Sequence, residues 1–115
     1  MVGAADRART QRADRSLLIG IVVFGAVLRL AMLASRWGDP LELNDSIYYS
    51  IQAAQNADGN WFAEPLSRTP GAEHPPLTVL AITPASLLPS PVFWQRATTT
   101  LFGIAAVALI ALLGT

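Results

Sequence analysis

Two long apolar runs frame the chain. Leu17 to Ser35 reads LLIGIVVFGAVLRLAMLAS, with one charge at Arg29, and Ala97 to Thr115 reads ATTTLFGIAAVALIALLGT, with none. A helix needs ~20 mostly apolar residues to cross a hydrocarbon core ~30 Å thick. The pattern therefore predicts one transmembrane helix over residues 17–35 and a second over 96–115. An Arg at the bilayer centre costs ~2.5–3.5 kcal/mol on insertion scales. Arg29 lies in the second half of its run, so its long side chain can reach toward the interface, and the Leu, Ile, Val and Phe residues before it outweigh the cost. A cleaved signal peptide shares the basic front and apolar centre. The length of the run, the interruption at Arg29 and the lack of a small residue at Met32, three positions before a cut after Ala34, favour an uncleaved anchor.

A third run, Leu77 to Trp94, is uncharged but carries Pro84, Pro89 and Pro91. Each proline removes a donor and clashes with the preceding turn, which a lipid-exposed helix tolerates poorly. The prediction is a short helix over 77–88, at the interface or packed on other helices, with Phe93 and Trp94 at headgroup level. If this run did span, the topology after it would invert. Between the runs lies LNDSIYYSIQAAQNADGNWFAEP, residues 43–65. Ile47, Ile51 and Ala54 recur at helical spacing, Asn44 or Asp45 suits the cap, and Gly59 suits the stop. An amphipathic helix over 46–57 follows, lying along the membrane surface or against protein, with Tyr48 and Tyr49 as candidate interface anchors. Glu64 to Pro76 reads as an extended, turn-rich stretch.

Charge sets the orientation. Arg7, Arg9, Arg12 and Arg15 make residues 1–16 a basic cytoplasmic tail. The loop from 36 to 95 then faces outward, carrying Asp39, Glu42, Asp45, Asp58, Glu64 and Glu73 against Arg36 and Arg68. The expected fold is an all-α membrane protein: two transmembrane helices joined by an outward loop with short interfacial helices, multi-pass in the plasma membrane, with membrane lipid as its surroundings. Only 14% of residues are charged, against ~25% in soluble proteins. Net charge is zero, which gives no support to a nucleic-acid partner. The absence of Cys removes disulfide and thiolate chemistry.

The order of features resembles a known family. A basic tail precedes a first span with Arg near its outer end (VLRL). An acidic residue before a Tyr-containing helix (NDSIYYSIQA), a DGNWF stretch, HPPL before an apolar helix, and WQRATTTLFGIAAVALIALLG complete the series. From Leu17 onward this resembles the N-terminal part of the GT-C superfamily of polytopic glycosyltransferases, in the branch of protein mannosyltransferases and aminoarabinose transferases of actinobacterial type. The motifs are short, and the ordered series is what carries the likeness.

The resemblance implies a partial GT-C fold and a sugar donor linked to polyprenyl phosphate, used at the outer membrane face. It implies a catalytic or site role for Asp45, with Asn44 beside it. Where many relatives carry Asp-Glu, this chain has Asn44-Asp45, so one carboxylate is present. His74, in EHPPL, falls near the site by the same likeness, and Tyr48 and Arg96 join it as substrate-binding candidates. Arg29, Arg68 or Arg96 offers charge for a departing phosphate. A divalent metal is compatible with the family, but no metal ligands are assigned, and one His without Cys partners makes no zinc site. Plainer readings stand beside these. Asp45 before a helix is a cap, which also keeps it ionised beside the helix dipole; His74 is a loop residue; Tyr48 is an interface anchor. Two spans are too few for a lipid-donor cavity, so the sequence reads as an N-terminal fragment, inactive alone, with the C-terminal part of the same enzyme as its missing partner. The alternative is a small two-span membrane protein with an interaction or assembly role.

Overall fold

A computed structural model describes residues 3–41, 45–67, 69–71 and 75–114. Helices account for nearly all regular structure there: α1 (Ala4–Ser35), α2 (Asp45–Ala57), α3 (Pro76–Ile82), a 3₁₀ turn (Pro84–Leu87) and α4 (Pro91–Leu113). The only β pairing among the described residues is an isolated bridge between Ala63 and Pro70.

The chain divides into two compact units, one of residues 1–35 with 100–115 and one of residues 36–99. In the first, α1 has no buried residue and most of its large apolar side chains are exposed. Among the described residues two helices, α1 and α4, are long and apolar enough to cross a membrane. At 1.5 Å per residue the 23 residues of α4 measure about 34 Å. Both helices start earlier than the apolar runs predict. α1 continues back through the Arg-bearing stretch to Ala4, because Ala, Arg and Gln are good helix formers and no breaker intervenes before Gly3. α4 starts at Pro91 rather than 96: proline suits the first helical position, and Ser90, at φ 59°, turns the chain into it. Within this unit the Arg29 guanidinium lies over Gly103, where a Cβ would sit 2.6 Å from Nη1.

In the second unit α2 packs on α3 and on the 3₁₀ turn. Ala53, Val79 and Ile82 form the core, with Tyr49 partly buried against them. Gln52 and Asn56 are buried beside Ala53, so the inward face of α2 is Tyr49, Gln52, Ala53 and Asn56. This is not the Ile47–Ile51–Ala54 face that the spacing picks out. Ile51 and Ala54 point outward, nearly opposite, and Ile47 is only half-buried. The physical reason is Asn56. Its Nδ2 donates to Thr83 Oγ1 at 3.2 Å and its Oδ1 accepts from the Phe62 N–H at 2.7 Å. A buried amide with both ends satisfied is stable inside, and this one ties α2 to two other segments.

α2 ends where glycine predicts. Gly59 has φ 90° and donates to Asn56 O, while Asn60 N donates to Gln55 O at 2.8 Å. These two bonds make a Schellman motif. The stretch after it folds back on itself rather than running extended: Glu64 N donates to Thr69 O and Gly71 N to Phe62 O. The helix expected over 77–88 is two elements. Pro84 has no N–H to continue the α pattern, so the chain tightens into the 3₁₀ turn, while Thr83 returns its hydroxyl to Val79 O at 2.7 Å.

Candidate functional site

The first turns of α4 meet α2 and α3 around a half-open recess of about 160 Å³. Ser46 and Tyr49 come from α2, Ile82 from α3, and Gln95, Arg96 and Thr99 from α4. Helical spacing explains the grouping: Ser46 and Tyr49 are three apart, and Arg96 and Thr99 are three apart, so each pair shares a face.

Two contacts hold the α4 side in place. Gln95, buried, donates from Nε2 to Ser86 Oγ at 2.8 Å, which joins α4 to the 3₁₀ turn. Arg96 donates from Nη1 to Arg36 O at 2.7 Å and from Nη2 to Pro40 O at 3.3 Å. A guanidinium carries five N–H donors, so Arg96 can bind two carbonyls and still present charge at the recess. Its role as a phosphate-binding candidate is thus shared with a structural one: it fastens the segment that leaves α1 to the start of α4.

The other sequence candidates fall in different places. Asp45 opens α2, exposed in its first turn and adjacent to Ser46. A carboxylate there sits at the positive end of the helix dipole. Asn44, like His74 and Arg68, lies outside the described residues. Tyr48 is half-buried with an enclosed hydroxyl, and it is Tyr49 that lines the recess. Ser46, Tyr49 and Gln95 are site residues that the sequence reading did not select. The signal available for Tyr49 was its helical spacing to Ala53 and Asn56. Among the described residues no three His, Cys, Asp or Glu side chains gather as a metal site would require.

A second, more open groove of about 560 Å³ runs along Trp37, Pro40, Ile47, Ser90, Pro91 and Phe93. Trp37 stacks on Phe93 with ring centroids 4.0 Å apart, and Phe93 meets Trp94 edge-on at 5.2 Å. Comparison of the chain with known families, curated proteins and solved structures gives no match.

Proposed function

We propose that this chain supplies the first two spans and the first outward segment of a membrane glycosyltransferase, which moves a sugar from a polyprenyl-phosphate donor to an acceptor at the outer face. The ordered motif series supports the family. The observation that carries the site is the recess, where Ser46, the residue after Asp45 in the chain, gathers with Tyr49 and Arg96, in a unit whose chain continues into apolar helices at both ends. At about 160 Å³ the recess is smaller than the ~300–1,000 Å³ of a complete ligand site. It therefore serves as one wall of a larger cavity, completed by further spans.

In this reading Asp45 accepts the proton of the acceptor hydroxyl. The freed oxygen attacks the anomeric carbon, the bond from that carbon to the phosphate oxygen breaks, and the lipid phosphate departs with its charge opposite Arg96. The test uses membranes carrying this chain continued through whatever coding sequence follows Thr115, supplied with radiolabelled polyprenyl-phosphate mannose. Asp45→Asn should lower transfer at least ~100-fold, the lower bound for general-base catalysis, with membrane insertion unchanged. Undiminished transfer would leave Asp45 only its place in the helix's first turn.

A second reading, an interaction or assembly subunit, is favoured by one observation. In the unit of residues 36–99, Leu66, Leu77 and Leu87 are 98%, 77% and 70% exposed, as expected where another protein covers them. Photo-crosslinkers at these positions would separate the two readings. Crosslinks to the chain's own continuation favour the transferase, and crosslinks to one unrelated membrane protein favour the subunit.

A further inference from the structure

The aromatic cluster is not accounted for by the recess. Trp37 is 66% exposed although it stacks on Phe93, and Trp94, which meets that ring edge-on, is 43% exposed. Pro40, Ile47 and Pro91 continue the apolar surface along the groove, and Asp39 and Ser90 give it a polar edge. An exposed patch of this kind is unusual on a protein bathed by water. Indole has an apolar body and one N–H donor, and it is most stable where one side is greasy and the other wet.

The sequence position of the cluster identifies its surroundings. Trp37 comes two residues after α1 ends at Ser35, and Phe93 and Trp94 stand in the first turn of α4. Each apolar helix thus meets the cluster at the end that joins the 36–99 unit. We infer that Trp37, Phe93 and Trp94 form a lipid-binding collar that sits among the headgroups of the outer leaflet and fixes the depth of the 36–99 unit at the membrane surface. This deepens the membrane reading and rests on it. The Arg96 side chain, two residues past Trp94, then lies close to the level of lipid phosphates, where the head of an amphiphilic substrate would also lie.

Depth-dependent quenching of tryptophan fluorescence tests the collar. The full chain is reconstituted in phosphatidylcholine vesicles as two single-tryptophan variants, one retaining Trp37 and one retaining Trp94, with the other tryptophans replaced by Phe. Flotation with the vesicles after alkaline washing reports insertion independently. Bromines placed high on the acyl chain should quench both variants more strongly than bromines near its middle, and aqueous iodide should quench them weakly. Adding Phe93→Ala to the Trp37 variant should shift its emission to the red and raise iodide quenching about two-fold or more. The unsubstituted chain should show blue-shifted emission, a check that needs no substitution. Vesicle-bound protein whose Trp37 and Trp94 are quenched freely by iodide and not by brominated lipid would overturn the collar alone. Protein that does not float with vesicles would overturn the collar and the membrane reading together.

Discussion

At the scale of single residues, Asn56 ties three segments of the 36–99 unit together. It is 1% exposed and satisfies both Thr83 and the Phe62 N–H. Asn56→Ala leaves that part-buried N–H without its acceptor, a loss of about 1 kcal/mol, the low end of the range for a buried group. Hydrogen exchange on the full chain in micelles should show the Phe62 amide exchanging about 5-fold faster, since about 1.4 kcal/mol is a factor of ten; an unchanged rate would remove Asn56 from this role. Gly59→Ala, at φ 90°, forces a side chain into the left-handed region at a cost of about 1–2 kcal/mol and should fray the end of α2 in the same measurement. The glycine was legible in the sequence because its requirement is local. The Asn56 contacts were not, because Thr83 lies 27 residues away. Without that partner, an amide reads as surface, and the apolar spacing of Ile47, Ile51 and Ala54 is the face the sequence marks.

At the scale of elements, the long helices could be read from the sequence and their starts could not. Hydropathy reports which residues tolerate lipid, and helix formation extends beyond them: through alanines and arginines to Ala4 in α1, and back to Pro91 in α4. The proline that starts α4 belongs to a group read only as helix breakers, although proline favours the first helical turn. Pro84 did break its helix, as its chemistry requires. Arg29 gives the element-scale prediction. On a lone first span Arg29→Leu should raise translocon insertion by an amount approaching ~2.5–3.5 kcal/mol, reduced by whatever the side chain already recovers by reaching the interface. A glycosylation-based insertion assay measures it. No gain at all would mean that Arg29 is not within the hydrocarbon in this span.

At the scale of the whole molecule, the candidate site was partly visible. Asp45 and Arg96 stood out as charges beside helices, but Arg96 proved to be bound to the carbonyls of Arg36 and Pro40, and the recess drew in Ser46, Tyr49 and Gln95. Side chains that converge from segments fifty residues apart leave no periodic trace in either segment. The account as a whole requires two membrane-crossing helices with residues 36–95 on the outer side. The chain contains no Cys, so a single introduced thiol is a clean reporter. Leu66→Cys, at a position 98% exposed, should react with a membrane-impermeant maleimide on intact cells. Gly3→Cys should react only after lysis. A Leu66→Cys thiol that stays unlabelled until the cells are opened would contradict the account.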